Sequence, residues 1–248
     1  MIDLLAAYAP WQIAAALVAG FGSAFVRGLT GFGMAILLVP ILALALPPVE
    51  SVLLANFLSF FIGMSEIRRL VRGAEPTAWR ISALVVLLTP LGLFGLAATS
   101  EDLARFLIAM IALSAFAAVL LPRRSAAEPG HAATGAVGIL SGLMTGYAGM
   151  PGPPVVPYYV GRDIPRETAK ASMMLIFTIA SLAGLVSGAA LEILAWRLPV
   201  LAVMLFPAVL LGNWLGNHAS GRVGDGLWRA VVGVILGGAA LAALLQLL

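Results

Sequence analysis

Apolar residues run through this chain in ten blocks, and polar residues gather at the joints. The blocks lie at about 9–27, 31–47, 51–70, 79–98 and 103–121, then at 133–147, 152–160, 168–190, 197–216 and 226–247. Charges, prolines and glycines set their ends. A helix needs about 20 apolar residues to cross a bilayer. The third, fourth and fifth blocks of each half meet that length. The blocks 133–147 and 152–160 do not, and predict a re-entrant hairpin of half-helices around Gly146–Gly152. Whether the first hairpin re-enters or spans is left open by its length. The pattern predicts an all-α polytopic membrane protein with six full spans and two hairpins, or ten crossings if every hairpin limb spans.

Two stretches break the apolar pattern. Ser23 to Pro40 read SAFVRGLTGFGMAILLVP, and Ser141 to Pro157 read SGLMTGYAGMPGPPVVP. In a membrane, backbone that leaves the helix is tolerated only where protein or a water-filled cavity surrounds it. Paired interruptions at corresponding points of two halves point to a transporter's binding site. The halves align further. Ser23, Gly28 and Gly31 match Ser141, Gly146 and Gly149 at an offset of 118. At 117, Pro40, Pro48, Glu50, Trp79, Arg80, Pro90 and Gly95 match Pro157, Pro165, Glu167, Trp196, Arg197, Pro207 and Gly212. This is an internal repeat: residues 1–121, a linker at 122–134, and residues 135–248.

Loop charges set the sidedness. Arg68, Arg69, Arg72 and Arg80 place the 66–80 loop in the cytoplasm. Glu101, Asp102 and Arg105 then fall outside; Arg123, Arg124, Arg162, Arg166 and Lys170 inside; Glu192 and Arg197 outside; Arg222 and Arg229 inside. Eleven basic residues lie inside, two outside, and Arg27 within a hairpin. Equivalent loops face opposite sides, so the reading is an inverted-topology repeat with both termini periplasmic.

Composition fixes the solvent and removes several chemistries. Of 248 residues, 62% are hydrophobic and 10% charged, against roughly 25% charged in soluble domains. There is no cysteine and there are two histidines, His131 and His218, a poor basis for a zinc site. No H-E-x-x-H, G-x-S-x-G or phosphate-binding loop occurs. The net charge of +3 belongs to loops facing anionic lipid rather than to nucleic-acid binding. The first cation, Arg27, follows the first apolar run, so no cleaved signal peptide is expected. The Ala/Leu/Gly/Arg bias suggests a GC-rich bacterium, and hence a bacterial inner membrane.

The first glycine-rich hairpin, its copy SGLMTGYAGMPGPPVVPYY and the Pro-x-Glu opening of the next helix resemble the TauE/SafE family of sulfite exporters, over nearly the whole chain. The resemblance implies movement of sulfite, sulfonates such as sulfoacetate, or related small organic anions. The family's second hairpin often carries more glycine where this chain has Met150-Pro151-Gly152-Pro153-Pro154.

Arg27 is the sharpest candidate. A cation within the bilayer costs at least about 2.5 kcal/mol, and an arginine fork suits sulfite, sulfonate or carboxylate oxygens; a snorkelling role at a helix end is the alternative. Gly28, Gly31 and Gly33, and Gly146, Gly149 and Gly152, would expose backbone N–H groups at half-helix N-termini, or let helices pack closely. Thr30, Thr145 and Tyr147 offer hydroxyls, which can instead bond their own backbone. Asn56, and Ser172 beside its repeat mate Met173, complete the substrate-binding candidates. Ser59, Thr178, Ser181 and Asn213 are weaker candidates, read mainly as helix glue. Glu50 and Glu167 read as helix starts, with proton coupling the minority idea.

The expected function is a secondary anion permease working by alternating access. It is not an enzyme and has no cofactor or metal. Its partners are a small anion, the lipid bilayer, H+ or Na+ as coupling ion, and a second copy in a homodimer. A small-solute or anion channel and a carboxylate permease are the alternatives; an intramembrane enzyme lacks a reactive pair, and a structural subunit would not need paired broken helices.

Overall fold

The computed structural model describes residues 8–120, 130–160 and 162–219, together with residues 234 and 245. The first eight residues of the linker, the tenth apolar block apart from those two residues, and Arg123, Arg124, Arg222 and Arg229 lie outside the described residues. Among the described residues there are ten helices and no strand: α1 (Pro10–Thr30), α2 (Met34–Ala45), α3 (Pro48–Ser65), α4 (Ile67–Gly73), α5 (Pro76–Ala97), α6 (Glu101–Leu120), α7 (His131–Ala148), α8 (Gly152–Val160), α9 (Arg166–Ala190) and α10 (Arg197–Ala219). Five of them, α1, α3, α5, α9 and α10, are long and apolar enough to cross a membrane. The chain is thus an all-α polytopic membrane protein.

Two differences from the sequence pattern matter. The block at 51–70 is divided: α3 stops at Ser65, and the Glu66 N–H turns back to the Gly63 and Met64 carbonyls. Glu66, Arg68, Arg69 and Arg72 follow this end, and the chain continues as the short α4. The first hairpin is also uneven. Its limb α1, with 21 residues, is long enough to span, whereas α2 has 12.

Small residues decide how the helices cross. On α1, Gly20, Ala24 and Gly28 recur every fourth residue; on α7, Gly138, Gly142 and Gly146 do the same. Such stripes let backbones approach closely. α1 lies on α10, and α7 lies on α5, so the first helix of each half is held by a helix of the other half. A Cβ on Gly28 would run into the α10 backbone at Asn213, Gly216 and Asn217, and one on Gly146 into the α5 backbone at Thr89, Gly92 and Leu93. α3 and α9 pair antiparallel, with Gly63 under Thr178, Gly184 under Asn56 and Gly188 under Leu53. The internal prolines Pro40, Pro90, Pro157 and Pro207 stand inside α2, α5, α8 and α10. Each removes a helix hydrogen bond, and they fall in equivalent pairs.

Candidate functional site

The two breaks are built alike. α1 ends in the turn Gly31-Phe32-Gly33, where Gly31 (φ 84°) and Gly33 (φ 91°) are left-handed. α7 ends on Gly149 (φ 66°). That conformation costs an L side chain about 1–2 kcal/mol, which is why glycine stands there. The Gly31 N–H closes on the Arg27 carbonyl at 2.7 Å, and the Gly149 N–H on the Thr145 carbonyl at 2.8 Å. After each turn a new helix starts, α2 at Met34 and α8 at Gly152.

The breaks meet. A cavity of about 50 Å³ is bordered by Gly33, Met34 and Ile36 of one and Gly149, Met150 and Gly152 of the other. On this measure a single water needs about 10–15 Å³, so the space is small but can hold a small solute. The N-terminal ends of α2 and α8 both reach it, bringing unpaired N–H groups and partial positive charge. They are unequal. α2 opens with Met34, Ala35 and Ile36, all with N–H groups, whereas α8 opens with Gly152, Pro153 and Pro154, and proline has no N–H. Ser59, Thr178 and Ser181 add hydroxyls to the wall. Thr178 and Ser181 donate to Met174 and Phe177 carbonyls of their own helix.

Arg27 links this cavity to a larger one. A vestibule of about 730 Å³ is lined by Arg27, Glu66, Arg68, Arg69, Lys170 and Asn213, among others. Arg27 and Met174 belong to both walls. The Arg27 side chain is 11% exposed. Its guanidinium donates to Asn213 Oδ1 at 2.8 Å and lies 3.6 Å from Glu66 Oε1. Glu66 in turn pairs with Arg69. The stem of Lys170 lies against the first break, where a Cβ on Gly31 would meet it at 3.0 Å. Four cations therefore face one carboxylate in this vestibule.

The opposite end of the same helices carries a different cluster. Glu50, near the start of α3, is buried, accepts a hydrogen bond from Tyr8 at 3.1 Å and pairs with Arg197 at the start of α10. The Arg197 guanidinium lies 5.1 Å from the centre of the Tyr8 ring. Burial, and then the Glu50 charge, push the Tyr8 hydroxyl above its ordinary range, so it stays a donor. The repeat mates of this pair, Glu167 and Arg80, are exposed and form no ion pair with each other.

The candidates read from sequence separate into groups. Arg27, Gly33, Gly149 and Gly152 surround the joint cavity. Gly31 shapes the first turn. Gly28 and Gly146 lie inside helices and serve the crossings with α10 and α5. Thr30 donates to the Val26 and Phe32 carbonyls, and Thr145 to Ser141. The Tyr147 hydroxyl bonds Thr99 at 3.2 Å. Ser172 accepts from the Glu75 N–H at 2.9 Å. Asn56 is buried over Gly184, and its Nδ2 has no partner among the described residues. The sequence pattern does not single out Glu66, although an acid inside the block 51–70 is a signal, and it reads Asn213 mainly as helix glue.

Two broken helices meeting inside a bundle of membrane-spanning helices, with a cation beside the joint, define a membrane transporter by architecture. The chain matches the family described as Sulfite exporter TauE/SafE over residues 16–243 and belongs to it; the members of this family are transporters. No curated protein and no solved structure matches the chain.

Proposed function

We propose that this protein is a secondary carrier for a small anion, such as sulfite, a sulfonate or a related organic acid, and that it works by alternating access. One observation carries the reading: the two glycine breaks, one from each half, open onto a single small cavity that Arg27 joins to a cationic vestibule. The orphan N–H groups of α2 and the Arg27 fork are the donors such an anion needs. The reciprocal packing of α1 on α10 and α7 on α5 supports an inverted repeat, in which each half can take the other's conformation.

The conformation described is then inward-facing. The vestibule opens at the end where Arg68, Arg69, Glu167 and Arg80 lie, the arginine-rich end assigned to the cytoplasm. The Glu50–Arg197–Tyr8 cluster closes the other. In the opposite state Glu50 and Arg197 separate and Glu167 and Arg80 close. A channel would need no such exchange. The test is flux into proteoliposomes with sulfite, sulfoacetate, lactate and acetate as competitors. Saturable flux that at least one of them inhibits is expected; if none competes, the anion-carrier reading fails. A C-terminal reporter active only on the periplasmic side is expected in addition.

A further inference from the structure

The polar cluster around Arg27 occurs in only one half of the repeat. Arg27 corresponds to Thr145, Glu66 to Ala183, Arg69 to Val186 and Asn213 to Leu96. The second half makes the same helix end with none of these charges: Thr145 simply bonds the Ser141 carbonyl, and Leu96 is buried in the core. The backbone closure, from the carbonyl of residue 27 or 145 to the glycine N–H, is the same in both. The charges are thus not required to build the break. Burying an arginine at 11% exposure is costly, and here it comes with a carboxylate that partly neutralises it.

We propose that Glu66 is a tethered competitor of the transported anion. Its Oε1 stands 3.6 Å from the Arg27 guanidinium, a loose contact beside the tight bond to Asn213 at 2.8 Å. Both contacts are made by Nη1: Asn213 fixes the fork, and Glu66, the looser of the two, holds the place that an oxyanion would take. Glu66 also sits at the α3–α4 junction, where the helix has already ended, and its other carboxylate oxygen is already held by a second cation, Arg69. An anion arriving through the vestibule displaces Glu66 from Arg27 and leaves it on Arg69 alone. When the anion leaves, Glu66 returns and restores the neutral pair, so an uncompensated buried arginine never waits in the membrane. Glu66 is a positioning residue: it lowers affinity and speeds release.

This rests on the anion-carrier reading, and the experiment separates the two. Sulfite binding to the purified full chain is measured by calorimetry, and sulfite flux in proteoliposomes, for wild type, E66Q, E66A, E66D, R27Q and E66Q/R27Q. Removing the carboxylate is expected to tighten sulfite binding up to about fivefold, the upper end for a loose ion pair, and to slow turnover; E66D stays near wild type. In the R27Q background the same change does nothing, because the competition acts through Arg27. A structural role predicts the opposite sign, since a loosened Arg27 would bind more weakly. The proposal is overturned if E66Q or E66A, eluting and melting as wild type does, binds no tighter, or if the tightening persists without Arg27. If wild type binds no sulfite, sulfonate or carboxylate at all, the anion reading falls and this inference with it.

Discussion

Glu50 is clamped to Arg197, while Glu167 and Arg80, their counterparts in the other half, stand exposed and apart. One end of the helix bundle is latched by this pair; at the other end, the one with the vestibule, the counterpart pair is unformed and Arg162 instead holds Glu75 at 2.6 Å. Fixing the latch should therefore stop transport. The chain has no cysteine, so the thiols of an E50C/R197C variant are its only ones. Bridging them with a short reducible crosslinker is expected to abolish sulfite flux, and reductant to restore it. Unchanged flux after complete bridging would show that these residues do not separate during the cycle.

The counterpart pair should respond in the opposite sense. An R80C/E167C variant is expected to bridge poorly in the conformation described. Adding E50Q, which removes the acid of the opposite latch, should raise the bridging yield. Mass spectrometry of the crosslinked peptides measures this directly, and equal yields in both backgrounds would count against paired latches.

Glycines at the two crossings carry packing rather than chemistry. Gly28→Val and Gly146→Val drive a branched side chain into the backbone of α10 or α5. Overpacking of this kind costs about 1–3 kcal/mol, and more when backbone cannot yield. A clear fall in melting temperature is expected for both, read by thermal denaturation in detergent, together with loss of the monodisperse elution peak.

Glycines at the turns behave differently. A Cβ on Gly33 would make an ordinary contact, at 3.6 Å to the Val26 side chain, and one on Gly149 a slightly tight one, at 3.3 Å to the Val39 side chain, which can yield; both glycines are left-handed. Backbone strain, not collision, then sets the cost. Asn tolerates this region better than Ala or Val. Flux should fall in the order Gly, Asn, Ala, Val at both positions, and a series ranked by size alone would refute that cause.

Asn213 offers a test that uses the protein's own second half as a guide. Its counterpart is Leu96, so Asn213→Leu puts a residue that the fold accepts at the equivalent place. Stability should change little, within about 1 kcal/mol, while sulfite affinity falls several-fold because the Arg27 fork loses the bond that aims it. Equal loss of stability and affinity would mark Asn213 as a structural partner.

Much of this was legible in the sequence because glycine and proline act locally. Gly31, Gly33 and Gly149 announce a turn whatever surrounds them, and the repeat offset already pairs Glu50 with Glu167 and Arg80 with Arg197. The role of Gly28 was not legible. It depends on Asn213, Gly216 and Asn217, nearly the whole chain away. Thr30 and Thr145 looked like ligands since a hydroxyl beside a break is ambiguous until the nearest carbonyl is known. Glu66 was hidden for a related reason: it lies where the apolar block 51–70 overlaps the charged loop 66–80, and only the fold brings it to Arg27.

The swapped crossings also bear on how the protein is made. α7 meets α5 as soon as it is synthesised, but α1 must wait for α10, the partner that holds Gly28 and supplies Asn213 to Arg27. During that interval the Arg27 charge has neither its amide partner nor its shelter. Its insertion cost, at least about 2.5 kcal/mol at mid-membrane depth, must be met by tilting or by reaching to the headgroups. Biogenesis of this transporter therefore has a vulnerable window that closes only once α10 has been made. Truncation before α10 should leave α1 as a substrate for membrane quality control rather than as a stable half-protein.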